Sequence, residues 1–218
     1  MACPVKGSTY GHPAPRIDLS EITFQRARWT SGLRAQLLRP SGLAGCQYEG
    51  MHRLATVNDL FTIQEIERAA GQAFRSVGLE SVADDEPIST AAFGVFLARE
   101  GAWVTVSDND SVIAYLLIEP LDVALHVEQV TVHPRVARRG IGARLLDVAG
   151  ERAVDRKLDA LTLTTFRDVP WNAPYYTRLG FGVVAREQWG AGLRQKVETE
   201  ARNSFDKWPR VVMQRPVS

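Results

Sequence analysis

VEQVTVHPRVARRGIGARLL, residues Val127 to Leu146, reads as a strand, a turn and the start of a helix. Val130 and Val132 alternate with Gln129, Thr131 and His133, the two-residue period of a strand. Pro134 cannot donate to a sheet ladder, so the strand stops there. Past Gly140, Ile141, Leu145 and Val148 recur at helical spacing, as do Gly142, Leu146, Ala149 and Ala153. A glycine-containing turn between strand and helix suits an anion. The first N–H groups of the helix lack internal partners, the helix dipole adds positive potential, and glycine admits a close approach. Arg135, Arg138, Arg139 and Arg144 add charge, and no Asp or Glu stands between Gln129 and Leu146. A lone Gly-x-Gly equally fits an ordinary connection with solvated arginines. The usual nucleotide fingerprints are absent: there is no G-x-x-x-x-G-K-[ST], and Leu145 stands where G-x-G-x-x-G needs its third glycine.

Around this stretch the chain has the length of one domain, or of one domain with an extension, and can bury a core without staples. Hydrophobic content of 45% and charged content of 23% are ordinary for a soluble globular protein. A net charge of +1 gives no global attraction to nucleic acid or membrane. The longest apolar run, Val112 to Ile118, is too short to span a bilayer, and the N-terminus lacks the apolar run of a secretory signal. Cys3 and Cys46 both precede Met51, so the rest of the chain needs no disulfide, which suits a reducing cytoplasm. Four scattered histidines and no cysteine pair give no metal-site spacing.

Residues 1–50 form an N-terminal extension punctuated by Pro and Gly, with one marginal helix over Ser20 to Arg39. It is a loosely ordered tail or a functional arm, or Met51 is itself the start. The expected elements of 51–218 follow in order. A strand over Arg53–Val57 precedes a helix capped by Asn58 or Asp59 and running to about Arg75. The apolar stripe of that helix is broken by Glu67. An acidic loop, Gly78 to Pro87, leads to a helix over Ile88–Arg99. Strands follow over Trp103–Ser107, Ser111–Glu119 and Val123–His133, with the Asn109-Asp110 pair in the first hairpin. The helix opened by the glycine turn runs to about Lys157. The strand after it, Ala160–Phe166, lies parallel to Val123–His133 by the crossover rule. A short helix over Asn172–Leu179, a strand over Phe181–Ala185, a charged helix within Gly190–Phe205 and a last strand over Pro209–Gln214 complete the chain. The class is α/β, with a mixed sheet of the α+β type.

Two motifs carry a family resemblance. Ala137-Arg-Arg-Gly140-Ile-Gly142, after a strand ending in V-x-P, resembles the [Q/R]-x-x-G-x-[G/A] motif of the GNAT superfamily of acetyl-CoA-dependent N-acetyltransferases. Asn172-Ala-Pro-Tyr175-Tyr176-Thr-Arg-Leu179-Gly180-Phe181 resembles that family's N-x-x-[FY]-Y-x-x-x-G-F. The resemblance covers roughly Arg53 to Pro216. Ala137 departs from the usual Gln or Arg, which keeps the backbone role of the loop and removes one side chain.

The resemblance implies the GNAT, or acyl-CoA N-acyltransferase, fold: a three-layer αβα domain over 51–218. It implies acetyl-CoA as co-substrate, no metal, and transfer of the acetyl group to a primary amine of a small molecule or peptide. The chain is expected to act in the cytoplasm as a monomer or homodimer, without nucleic acid or membrane partners. The cofactor would lie between the two parallel strands, along Val130, Thr131 and Val132. Its pyrophosphate would rest on Arg138, Arg139, Gly140, Ile141, Gly142 and Ala143, with Arg144 a further phosphate partner and Asn172 and Tyr176 toward the cofactor arm. Glu128 is the candidate base; it shares the strand parity of Val130 and Val132 and is expected on a protected face. A bulge in the strand would change that parity and make His126 the relay. Tyr176 is the candidate acid for the departing thiolate, with core packing as its other reading; its neighbour Tyr175 fits packing better. The acidic loop borders the acceptor side and either meets a cationic amine or is simply solvated. A non-catalytic CoA-binding regulatory module with the same fold is the alternative function.

Overall fold

In the computed structural model, residues 50–203 and 208–217 are described; the helix expected over Ser20–Arg39 lies outside them. Strand β1 (Met51–Leu54) starts two residues before the expected strand and ends before it. The reason is local. Arg53 makes a two-pronged ion pair with Asp59, 2.8 Å to each oxygen, and Asp59 also accepts from the Thr56 N–H at 2.7 Å. The Arg53 hydrogen bonds hold the Asp59 carboxyl below the usual carboxylate range, against the opposing effect of burial. That knot turns the chain out of the sheet and into α1 (Leu60–Gly71). α1 tightens into a 3-10 segment over Gln72–Val77, ended by Gly78 at φ 75°. The acidic stretch is not all loop. Glu80–Ala83 form one helical turn, α2, behind the buried Leu79. Arg75 pairs with Asp84 after that turn.

Ser89 caps α3 (Thr90–Ala98), its hydroxyl accepting from the Ala92 N–H. Then come β2 (Ala102–Val106), β3 (Val112–Leu121), β4 (Ala124–Val132), α4 (Ile141–Asp155), β5 (Ala160–Phe166), α5 (Ala173–Arg178), β6 (Gly182–Val183), α6 (Ala191–Asn203) and β7 (Arg210–Pro216). The strand expected over Phe181–Ala185 shrinks to two residues because Phe181 turns into the core and a 3-10 turn starts at Arg186.

One seven-stranded sheet in the order β1-β2-β3-β4-β5-β7-β6 forms the middle layer. Every neighbouring pair is antiparallel except β4 and β5, which are parallel as expected. On one face α4 buries Ile141, Leu145, Leu146, Ala149 and Ala153 against Leu116, Leu125, Val127, Leu161 and Leu163. On the other, Ile63 and Ile66 of α1 and Phe93 of α3 close over Val104, Val106, Tyr115 and Leu117. Helices on both faces of a mixed sheet make the expected three layers.

Candidate functional site

β4 and β5 are paired only at their feet. The register runs Ala124↔Ala160, Leu125↔Leu161, His126↔Thr162 and stops. From Val127 and Leu163 onward the two strands diverge, while β3 continues along the far edge of β4 and β7 along the far edge of β5. Two strand edges thus open toward each other without a ladder between them, leaving backbone donors and acceptors for an extended ligand. At the wide end of this opening β4 runs into the glycine turn.

That turn is shaped to hold an anion. Arg138 and Gly140 both take positive φ, 64° and 79°. Gly140 caps α4 without any side-chain bond, so the N–H groups of Ile141, Gly142 and Ala143 face outward without a cap. Arg138 and Arg139 are exposed and form no ion pair among the described residues. A methyl group at Gly142 would stand 3.2 Å from the Tyr175 hydroxyl, so only glycine leaves this floor clear. Donor set and shape fit a pyrophosphate.

Asn172 opens α5 with its backbone carbonyl, accepting from Tyr175 N–H at 2.8 Å and Tyr176 N–H at 3.0 Å. Its side-chain amide donates to Thr165 of β5 at 2.8 Å, tying the helix to the diverging strand. Tyr176 packs on the α4-side core, its ring 5.7 Å from Phe181. Burial pushes its phenol above the ordinary tyrosine value, with Tyr175 adding to the shift, so it keeps its proton across the physiological range. The core contacts expected of Tyr175 therefore belong to Tyr176, while the Tyr175 hydroxyl reaches the glycine turn.

The parity expected for Glu128 does not hold. Leu117 pairs with Gln129 and the next residue, Ile118, with Val127, so Glu128 is the extra residue of a bulge. Leu125 and Val127 before the bulge, and Val130 and Val132 after it, all face α4. Glu128 turns to the opposite face, where Lys196 Nζ of α6 meets it at 2.5 Å and meets Glu119 at 2.8 Å. Burial pulls the Lys196 ammonium down, but Glu128 and Glu119 more than reverse this and hold it above the ordinary lysine range. His126, opposite Glu119 on the same face, is 1% exposed, with Nδ1 3.0 Å from the Thr162 hydroxyl. Burial, with Lys196 adding, lowers it to about 3, so the imidazole is neutral at physiological pH and a weak proton acceptor.

Other side chains of this face border the opening. Glu67 of α1 accepts from Gln129 Nε2 at 3.0 Å. Phe74, beyond α1, stacks edge-on with Phe166 of β5 and with Trp171, both at 5.8 Å. Arg210 lies 5.0 Å over Phe166 and 3.5 Å from Glu200 of α6, whose carboxyl is raised by burial. Glu128 and Tyr176 thus flank the opening from opposite sheet faces. Lys196, Glu119 and Gln129 are the site neighbours that sequence reasoning missed. Only Glu67 left a signal, as the polar break in the stripe of α1. Among the described residues no group of three or more His, Cys, Asp or Glu is placed to hold a metal ion.

Solved structures share this architecture. N-acetylglutamate synthase from Neisseria gonorrhoeae, complexed with coenzyme A and N-acetyl-glutamate, superposes with a TM-score of 0.60 at 13% identity over 78% of this chain. The match covers 35% of the Neisseria chain. The PaiA N-acetyltransferase of Thermoplasma acidophilum, in complex with coenzyme A, gives 0.56 at 14% identity over 77% of this chain and 99% of that one. The ribosomal-protein-S18-alanine N-acetyltransferase of Escherichia coli gives 0.52 at 17% identity over 78% of this chain and 94% of that one. At such identities the likeness speaks for the fold. A sequence profile described as the Acetyltransferase (GNAT) family matches residues 63–181, more than half of the chain and the whole stretch from α1 through the glycine turn to Phe181, and this chain belongs to that family.

Proposed function

We propose that the protein moves an acetyl group from acetyl-CoA directly to a primary amine of a small molecule or peptide. The observation that carries this is the divergence of β4 and β5 beyond His126↔Thr162, opening onto an uncapped helix N-terminus with glycine at its floor. The pantetheine arm lies along Val130, Thr131 and Val132, and the pyrophosphate on the backbone from Arg138 to Ala143, with Arg138 and Arg139 on its oxygens. The amine nitrogen forms a bond to the thioester carbon and the carbon–sulfur bond breaks. The proton lost by the amine passes to Glu128, directly or through water, and the departing sulfur takes one from Tyr176. Coenzyme A in the Neisseria and Thermoplasma structures supports the choice of cofactor. We assign the catalytic domain to 51–218 and the reaction to the cytoplasm; among the described residues no helix is long and apolar enough to cross a membrane.

The ion pair between Lys196 and Glu128 favours a second reading, a CoA-binding regulatory module without turnover. Free-thiol release during a screen of amine acceptors separates the two, because a pure binder releases none. The cofactor site is tested by calorimetry on Gly142→Glu. A bulky anion on the floor of the turn is expected to weaken CoA binding about 100-fold or more, a loss of about 2.7 kcal/mol. Undiminished binding by a folded variant would put the cofactor elsewhere.

A further inference from the structure

A carboxyl on the face of a helix packed against a sheet is costly unless its oxygens are satisfied. Glu67 breaks the stripe formed by Ile63, Ile66 and Ala70 of α1. Both its oxygens are engaged, but only by neutral donors: Gln129 Nε2 at 3.0 Å and the Ile88 N–H at 3.1 Å. The other carboxylates of this face differ. Lys196 takes Glu119 and Glu128, and Arg210 takes Glu200. Among the described residues no Lys or Arg forms an ion pair with Glu67. The Tyr115 hydroxyl, in a residue 0% exposed, lies beside Glu67 and Thr131 and is likewise uncharged. A carboxylate without a cationic partner and a buried phenol therefore adjoin each other under α1.

Their position is informative. Gln129 lies on β4 past the last pair with β5, and Phe74, seven residues beyond Glu67 along the same helical segment, reaches Phe166 of β5. Glu67 thus lies over the mouth of the opening, on the sheet face to which Glu128 turns. A carboxylate held by neutral groups alone is complementary to a cation and discriminates against an anion.

We propose that Glu67 recognises positive charge on the acceptor, so that the preferred acceptors are amines carrying a second cationic group. This rests on the acetyl-transfer reading above and makes Glu67 a specificity residue of that site. The reacting nitrogen stays with Glu128, while Glu67 holds the charge that does not react.

The test uses a matched pair of primary amines, (2-aminoethyl)trimethylammonium and 3,3-dimethylbutylamine, its isostere without the quaternary charge, with the full chain and acetyl-CoA, kcat/KM being referred to the free-base form of each amine. Wild type is expected to favour the cation about tenfold or more in kcat/KM, through KM. Glu67→Gln preserves the local network, since its amide can still accept from Ile88 while the Gln129 amide flips to receive its N–H. The variant is expected to lose the preference by raising KM for the quaternary amine, with 3,3-dimethylbutylamine unchanged. Equal use of both amines by wild type, or a preference that survives in Glu67→Gln, overturns the proposal and leaves acetyl transfer standing. A variant that loses both amines equally also overturns it, since that is a structural effect. If wild type releases no thiol with either amine, neither is turned over, and the acceptor screen above, not this pair, tests acetyl transfer. Calorimetry of the two amines on CoA-saturated protein then decides: tighter binding of the cation that Glu67→Gln abolishes supports charge recognition, and its absence ends it.

Discussion

The two faces of β4 differ as sharply as any two regions of the molecule. Toward α4, Leu125, Val127, Val130 and Val132 meet aliphatic side chains. Toward α1 and α6, His126 meets Thr162, Glu128 meets Lys196 and Gln129 meets Glu67. The first face is held by non-directional burial, in which any well-packed apolar group of the right volume serves. The second depends on bonds between named atoms, where a missing partner leaves a buried polar group unsatisfied. A bulge of one residue keeps the two apart, letting four aliphatic side chains share one face although their numbering changes parity midway. Apolar packing and the polar cluster are thus carried by opposite sides of one strand.

The largest expected effect breaks the apolar side. Leu145 is 0% exposed within the α4 cluster, so Leu145→Ala is expected to cost about 2–5 kcal/mol in denaturant unfolding. A cost below about 1 kcal/mol would mean this face is not the scaffold. Next, Tyr176→Phe keeps the ring against Phe181 and removes the proton. On the proposed mechanism kcat falls by about tenfold to several hundredfold, with acetyl-CoA affinity little changed. The control is Tyr175→Phe, whose hydroxyl adjoins Gly142; its expected effect is on cofactor affinity and not on kcat. Normal turnover by Tyr176→Phe, with chemistry shown to limit the rate, would return Tyr176 wholly to the scaffold.

The smallest effect, taken per pH unit, sharpens the polar side. An unfolded chain protonates His126 near 6.5 and the folded chain only near 3, so between these values the unfolded state binds more protons. Stability from this group is therefore present above pH 6.5 and is lost as pH falls toward 3. Within that window wild type is expected to lose up to about 1.4 kcal/mol per pH unit more than His126→Gln, read from urea titrations. Equal slopes would show that the polar face is wetter than its packing implies.

The same contrast explains what could be read beforehand. β4, the glycine turn and α4 were legible because short-range periodicity records one-sided burial, and the parallel partner β5 followed from chain direction and handedness. The face of Glu128 was not, because a one-residue bulge leaves no mark on a two-residue period. Its partner was not either: Lys196 lies 68 residues further on, in a helix whose charged sequence looks solvated. The turn over Glu80–Ala83 was missed because four residues carry no helical period, and its anchor is the burial of Leu79. Motif resemblance pointed to the glycine loop, Asn172 and Tyr176, yet core packing was expected of Tyr175, and the structure gives it to Tyr176.

One contact sets terms for anyone re-engineering this protein. Asp122, at φ 53° in the tight turn between β3 and β4, accepts from the N–H groups of Gly192 and Leu193, both at 2.9 Å, and so caps α6. A methyl group at Gly190 would fall 2.3 Å from its carboxylate, and one at Gly192 2.9 Å. Hairpin and helix start are thus a single transplantable module, although some seventy residues of chain separate them. A designer who exchanges the β6–β7 connection must carry Asp122 and the two glycines across together. A graft that takes the helix alone would arrive without its clamp, and Lys196 would lose its aim at Glu128.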